Sequence, residues 1–174
     1  MKQDTNHVLN SDKNQKVTFE ELHIRHLKLL IDLKSKKLNN WFLKMAIINT
    51  FDDLKIFLNH LKKNKQRCII AIEDKKIIGY LNIFSLNNKG TCLRISKPNL
   101  ISTNASISVK ELTLGLMKKS ISIKDIKTSS WVINSDIENT HLISSARELG
   151  FQPLEKVKLW SKNITNKSIK NSNE

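Results

Sequence analysis

The amino-acid sequence predicts an α/β (α+β) domain with a mixed, mostly antiparallel sheet and helices on both of its faces. Three strand-like stretches between residues 68 and 96 are separated by short turns, and such strands pair as an antiparallel meander. A helix-like stretch, a strand-like stretch and a second helix-like stretch follow between residues 108 and 151. Because the first of these helices can cross over the sheet, we expect the strand after it to run parallel to its neighbour.

The chain has 174 residues, which is the size of one domain with short tails. Residues 1–16 and 164–174 are polar and lack hydrophobic periodicity, so we predict disordered tails on either side of a domain at 17–163. No apolar run approaches the ~18 residues of a membrane span, and the first residues lack the apolar core of a secretory signal. We therefore expect a cytoplasmic protein that does not bind membranes.

The first third of the domain is expected to hold one strand and two helices. Residues 17–22 are strand-like, residues 24–38 have helical spacing, and residues 41–48 are apolar but ambiguous. A clearer helix begins after Thr50, a good N-cap residue, and ends near residue 65 among lysines. The residues predicted to face the core are Ile24, Leu27, Leu30, Ile31 and Leu38 in the first helix and Phe51, Leu54, Phe57, Leu58 and Leu61 in the second.

The meander is predicted to consist of strands at residues 68–72, 77–86 and 91–96. The stretch "EDKK" forms the first turn, and "NNKG" forms the second with Asn and Gly where a positive φ is needed. Pro98 lacks an amide hydrogen and is expected to end the third strand, so that a loop follows it.

A capping box predicts where the crossover helix begins. Ser108 is the expected N-cap, and Glu111 reaches back to its amide. A strand is predicted at residues 129–135, a further helix after it, and a last strand at residues 155–162. The residues of the crossover helix that are expected to face the core are Val109, Leu112, Leu116 and Met117.

The formal net charge is +14, from 30 basic and 16 acidic residues. Nearly all the basic residues are lysines, whereas proteins that recognise base sequence prefer the flat, bidentate guanidinium of arginine. A phosphate-bearing cofactor is therefore the favoured anionic ligand, and nucleic-acid binding through the lysine-rich surface is the less favoured alternative.

The cysteines and glycines exclude several common kinds of site. Cys68 and Cys92 lie in strand-like stretches without a second ligand at metal spacing, so we expect reduced thiols and no metal. The sequence has four glycines, and their spacing excludes a Walker loop and a dinucleotide-binding fingerprint.

The stretch "NTHLISSARELGF" follows a strand-like run and has the spacing N-x-x-L-x-x-x-A-x-x-x-G-F. With the order of elements over about residues 17–162, it resembles the GNAT superfamily of acyl-CoA-dependent N-acyltransferases, whose pattern there is N-x-x-A-x-x-x-Y-x-x-x-G-F. Gly150 is expected at the C′ position of the helix, where φ is positive, with Phe151 as a hydrophobic anchor. Asn139 is expected at the helix start, where its side chain bonds backbone or ligand.

The resemblance implies a GNAT-like sheet in which the parallel strand pair splays apart at one end. The pantetheine arm of acetyl-CoA, or of a related acyl-CoA, would lie in that gap against the backbone of residues 93–97, with residues 131–135 across it. The pyrophosphate would lie at the N-terminus of the Ser108 helix, where free amides and the helix dipole attract anions.

The family's phosphate loop reads Q/R-x-x-G-x-G/A, and two registers are open for this chain. One places Thr103, Ser106 and Ser108 at the three motif positions, and the other is shifted by one residue. We favour the first because it keeps small residues at the glycine positions. The cofactor-binding residues that the resemblance implies are Ile95, Ser96, Thr103, Asn104, Ala105, Ser106, Ile107, Ser108 and Asn139.

Ala146 stands where the family often has the tyrosine that protonates the departing thiolate, and alanine has no proton to give. Glu73, Asp74 and Glu138 are carboxylates that can accept the proton of an amine, but spacing singles out none of them. We therefore assign no catalytic residue.

Two interpretations of the function remain open. The favoured one is an N-acyltransferase that moves an acetyl or related acyl group from acyl-CoA to an unidentified amine. The alternative is a catalytically inactive GNAT-like module that binds a ligand, a protein or nucleic acid. Two features favour this alternative: the phosphate loop has no glycine, and position 146 is Ala146. The lysine-rich composition favours an acidic acceptor over a polyamine, since like charges repel. The oligomeric state is not predicted.

Overall fold

The computed structural model describes residues 8–10, 16–33, 48–87, 89–102, 105–123, 130–136 and 138–153. In chain order the elements are β1 (Val8–Asn10), β2 (Lys16–Glu21), a 3-10 turn (Ile24–His26), α1 (Leu27–Leu33), α2 (Phe51–Lys63), β3 (Arg67–Glu73), β4 (Lys76–Ser85), β5 (Cys92–Ile95), β6 (Asn99–Leu100), α3 (Val109–Ile121), β7 (Ser130–Ile133) and α4 (Thr140–Glu148). The predicted strand at 155–162, the tail at 164–174 and Leu38 lie outside the described residues.

These strands form one mixed sheet in the order β1-β2-β3-β4-β5-β7, and β6 pairs with β4. All neighbouring strands are antiparallel except β5 and β7, which are parallel from Cys92 opposite Ser130 to Ile95 opposite Ile133. Helix α3 makes the crossover between them, so the predicted fold class, with its single parallel pair, is confirmed.

Helices cover both faces of the sheet. Side chains alternate between the faces along a strand, and the adjacent residues Ile69 and Ile70 of β3 accordingly lie in different cores. The first core includes Leu116 of α3 and Leu142 of α4, whereas the second includes Leu30 of α1 and other leucines of α1 and α2. The α3–α4 face is the one that borders the candidate site.

Two residues predicted to face the core are exposed because they begin helices. Phe51 is the first residue of α2 and is 61% exposed, and Val109 is the first residue of α3 and is 42% exposed. A helical side chain leans back over the preceding turn, and a first residue has no such turn to pack against. Ile31 of α1 is also exposed, since it lies 100° round the helix from the buried Leu30.

Val8–Asn10 lie in the segment predicted to be disordered, yet they form β1, with Leu9 opposite Val17 of β2. A free strand edge offers backbone donors and acceptors to any extended segment, so this pairing needs no hydrophobic pattern in the sequence.

Strands β5 and β6 are two halves of one strand that lies against β4. Ile95 lies opposite Ile83, and Asn99 lies opposite Tyr80. Two residues of β4 therefore lie opposite the three residues 96–98. One extra residue in one strand of an antiparallel pair makes a β-bulge. Bulges bend a strand and redirect it, and this one lies where the β5–β7 ladder ends.

Ser96 supplies the hydrogen bonds that hold the bulge. Its amide donates to the Asn82 carbonyl at 2.8 Å, and its Oγ accepts the Asn82 amide at 2.9 Å. Pro98, which has no amide hydrogen, lies inside the bulge where none is needed. The third strand ends before Pro98, as predicted, but the loop expected after it is wrong at Asn99–Leu100, which pair with β4 as β6.

Candidate functional site

The candidate site lies where the parallel strands part. Their ladder ends at Ile95 and Ile133, and the next residue of the first strand, Ser96, bonds back to Asn82 of β4. β7 also ends at Ile133. The backbone after β5 thus stays bonded to β4 beyond the point where its described pairing with β7 ends.

A cleft of about 290 Å³ opens at this end of the sheet, and it is lined by Lys97, Asp136, Glu138 and Asn139. Lys97 follows β5, and the other three residues follow β7. The carboxyl ends of parallel strands meet at one edge, so the topology brings these side chains together from two distant parts of the sequence. Asp136 was not singled out by sequence reasoning, and Lys97 entered only as the last residue of the stretch expected against the pantetheine arm, since only the strand pairing makes them neighbours.

Asn139 caps α4 and also lines this cleft. Its side-chain oxygen accepts the Leu142 amide at 3.2 Å, which fulfils the predicted helix start. The helix ends as predicted: Gly150 has φ +82 and donates to the Arg147 carbonyl, and Phe151 donates to the Ala146 carbonyl, both at 3.0 Å. These two bonds form a Schellman motif, so α4 is capped at both of its ends.

The loop before α3 packs into the first core through Ile107, which is 7% exposed. Burial of Ile107 favours the first register of the phosphate-loop pattern, because the shifted register would put this core residue at a glycine position that faces ligand. Ala105 packs partly against the same core. Thr103 and Asn104 lie outside the described residues.

Part of the hydrogen-bonding capacity of this loop is already used within the protein. Ser108 Oγ accepts the Glu111 amide at 3.2 Å, and the Glu111 carboxylate accepts the Ser108 amide at 2.8 Å, so the predicted capping box is confirmed. The hydrogen bonds from the Ser108 hydroxyl and amide hold the pKa of Glu111 below its usual range. In the described part of the loop and helix start, the amides of Ile107, Val109 and Lys110 donate to no other described residue.

Glu73 contacts the same loop, which sequence reasoning missed. Its carboxylate accepts the Ser106 amide at 2.9 Å and the Ser106 hydroxyl, although the two residues lie 33 positions apart in the chain. Glu73 begins the β3–β4 turn, in which Asp74 and Lys75 have φ values of 47 and 59. No local pattern could have revealed this contact, because the fold alone brings the turn to the loop.

Helix α4 offers no proton donor where the family often has tyrosine. Ala146 packs against the first core, and the neighbouring Ser145 hydroxyl is fully buried without a hydrogen-bond partner among the described residues. Of the carboxylates considered as proton acceptors, Glu138 lines the cleft, whereas Glu73 is engaged by Ser106. Two acidic residues, Asp136 and Glu138, therefore line the cleft.

Within the described ranges, no group of three His, Cys, Asp or Glu side chains is arranged to hold a metal ion. None of the helices described is long and apolar enough to cross a membrane. Both cysteines are free thiols, and burial raises the pKa of Cys68 well above its ordinary value.

The sheet order, the parallel pair with its bulge and the helices on both faces define the fold of the GNAT acetyltransferases. Solved structures of that class share it. A probable acetyltransferase has 12% identity and a TM-score of 0.54, over 84% of this chain and 97% of that chain. An N-acetyltransferase from Staphylococcus aureus Mu50 has 13% identity and a TM-score of 0.52, over 80% and 85%.

An aminoglycoside N-acetyltransferase, AAC(6')-Iy, was solved in complex with CoA and has 14% identity and a TM-score of 0.51, over 88% of this chain and 99% of that chain. No family model matches the sequence, and no curated protein matches it. At sequence identities this low, the similarity to the solved structures establishes the fold of this chain.

Proposed function

We propose that this chain is an N-acyltransferase that moves an acetyl or related acyl group from acyl-CoA to an amine. The observation that carries the proposal is that the β5–β7 ladder ends at Ile95 and Ile133 and that a cleft follows, lined by residues from beyond both strands. The bulge at Ser96 follows the end of this ladder and is held by two hydrogen bonds to Asn82. The fold it shares with acetyltransferases, one of them solved with CoA, supports the same conclusion.

In this proposal the backbone at Ile95 and Ser96 borders the pantetheine arm. The phosphates would be held at the start of α3, where the amides of Ile107, Val109 and Lys110 have no other described acceptor. The partial positive charge of the helix N-terminus adds to the attraction. Asn139 would lie beside the thioester end, since it lines the cleft at the end of β7.

The cleft favours a cationic amine as acceptor. Asp136 and Glu138 place two carboxylates against the single ammonium group of Lys97, although the whole chain has a net charge of +14. The acidic acceptor expected from composition is therefore not what we propose, because composition does not report the charge of one cleft. A protonated amine would be attracted here and would lose its proton to a carboxylate or to water before attack.

The reaction then needs few groups. The neutral amine nitrogen attacks the thioester carbonyl carbon, the C–S bond breaks, and the nitrogen loses its second proton to water. The thiolate takes a proton from water because Ala146 supplies none. One of the two cleft carboxylates acts as the general base, which is worth ~10²–10⁴-fold in rate.

The test is acceptor-dependent release of the CoA thiol from acetyl-CoA, measured with a panel of cationic and acidic amines. Wild-type protein is expected to turn over a cationic amine, and Asp136→Asn or Glu138→Gln should lower kcat/KM by ~10²-fold or more. Asp52→Asn, a carboxylate in the first turn of α2, is the matched control and should leave turnover unchanged. Wild-type protein that releases no thiol with any amine of the panel contradicts the proposal.

A second candidate function is supported by one observation, the absence of a proton donor at Ala146. In that case the chain is an inactive GNAT-like module that binds its ligand without transfer. Saturable binding of acetyl-CoA together with no thiol release would identify this function.

A further inference from the structure

The contact between Glu73 and Ser106 places a negative charge of the protein itself at the candidate phosphate loop. Glu73 is 7% exposed, and its carboxylate receives both the amide and the hydroxyl of Ser106. Hydrogen bonds to an ionised carboxylate are roughly twice as strong as those between neutral groups. The carboxylate is therefore held in place against the loop.

Ser106 lies two residues before the N-cap of α3 and at a glycine position of the favoured register. Its amide is one of the donors that an anion bound at this helix start would use, and Glu73 has already taken it. The carboxylate thus occupies one of the positions that a phosphate oxygen would occupy.

The charged side chains of α3 near this helix start have other partners. The Glu111 carboxylate bonds to Ser108, and Lys110 Nζ lies 3.7 Å from the Glu148 carboxylate. No described ion pair links Lys110, or Lys75 and Lys76 of the adjoining turn, to the Glu73 carboxylate.

We propose that Glu73 is an internal competitor for the acyl donor's phosphates, and that it sets the affinity of this site for anionic donors. The inference rests on the proposed function, since it assumes that the donor's phosphates bind at the start of α3. A diphosphate must either displace the Glu73 carboxylate from Ser106 or bind beside it against charge repulsion. Neutralising Glu73 should therefore strengthen the binding of phosphate-bearing ligands and leave ligands without phosphate unaffected.

The test compares wild-type protein with Glu73→Gln, which keeps the shape and the acceptor oxygen for Ser106 and removes the charge. Calorimetric dissociation constants are measured for CoA, for inorganic pyrophosphate and for pantetheine, which lacks phosphate. CoA and pyrophosphate should bind about tenfold more tightly to the variant at low salt, and pantetheine should bind equally to both proteins. Asp74→Asn, the same change of charge one residue further along the turn, is the matched control and should behave like wild type.

Equal affinities of wild type and Glu73→Gln for CoA and pyrophosphate overturn the inference, as does an equal gain for pantetheine. Folding is checked by circular dichroism, and Glu73→Ala, which removes the charge in another way, must change the affinities in the same direction. Turnover separates this inference from the proposed function. If wild-type protein turns over but Glu73→Gln gains no affinity, only the inference falls. If wild-type protein shows no turnover, but pyrophosphate binds more tightly to Glu73→Gln than to wild type, the inference stands and the proposed function falls.

Discussion

Ser96 of the bulge and Asn82 of β4 share two hydrogen bonds, one from the Ser96 amide to the Asn82 carbonyl and one from the Asn82 amide to Ser96 Oγ, at 2.8 and 2.9 Å. In a regular antiparallel ladder a backbone carbonyl would accept the second bond. Here the Ser96 hydroxyl takes the place of that carbonyl, so the buried Asn82 amide keeps an acceptor despite the extra residue of the bulge.

Ser96→Ala should therefore lower the free energy of unfolding by about 1–3 kcal/mol, because it removes the acceptor of a buried amide. Chemical denaturation measures this loss. Ser96→Thr keeps the hydroxyl and should restore most of the stability. Ser122→Ala removes an exposed hydroxyl at the end of α3 and should change stability by less than about 0.5 kcal/mol. A Ser96→Ala variant as stable as wild type would show that the bulge does not depend on this bond.

A second prediction concerns the packing of α3 on the sheet. A Cβ added to Gly115 would overlap the ring of Phe19, which is 1% exposed. Alanine is the better helix former by about 1 kcal/mol, but overpacking of this kind costs about 1–3 kcal/mol, so Gly115→Ala should destabilise the protein. In Gly115→Ala/Phe19→Leu the smaller side chain removes the overlap, and thermal unfolding should show a smaller loss than the sum of the single changes. Strict additivity would contradict this account.

The third prediction is a pH dependence of stability that arises at His26. Burial lowers the pKa of His26, and the hydrogen bond to Glu20 opposes this shift without reversing it. His26 Nε2 lies 3.0 Å from the Glu20 carboxylate, beside Arg25, and Nδ1 accepts the His23 amide at 2.9 Å. This set of bonds requires the neutral ring, because protonation of Nδ1 removes the acceptor of the His23 amide.

Since the pKa of His26 in the folded state lies below its unfolded value near ~6.5, the neutral ring contributes stability that is complete above that pH. This contribution is lost as the pH falls through the folded pKa. The free energy of unfolding should therefore decrease from pH 7 toward about pH 5, and the decrease should be smaller in His26→Gln. His60→Gln, a change on the exposed end of α2, is the control and should keep the wild-type slope. Equal slopes in wild type and His26→Gln would contradict the assignment.

Local signals in the sequence predicted those parts of the fold that depend on local chemistry. The caps at Thr50, Ser108 and Asn139 follow from side chains that bond amides three positions away. The positive φ of Gly150 follows from the helix end that the pattern marks. The order of strands and helices was then enough to predict the parallel pair, because one crossover helix separates the two strands.

The candidate site depends on contacts between distant parts of the chain, and most of these had no local signal. The extra residue at 96–98 becomes visible only when β5 and β6 are set against β4. Glu73 reaches Ser106 because a turn and a loop meet at one end of the sheet. Asp136 and Lys97 become neighbours through the parallel pairing, so the sequence showed the charge of the whole chain but not that of the cleft.

Calorimetric titration with acetyl-CoA, on wild-type protein and on Val109→Glu, tests the central claim most directly. Val109 is the exposed first residue of α3, where a carboxylate suits the helix dipole and therefore preserves folding, but would repel a bound phosphate. Val109→Gln has the same shape without the charge and serves as the control. We expect saturable binding to wild type and Val109→Gln, and affinity at least about tenfold lower for Val109→Glu. No heat from wild-type protein with millimolar acetyl-CoA, or equal affinity in all three proteins, would contradict it.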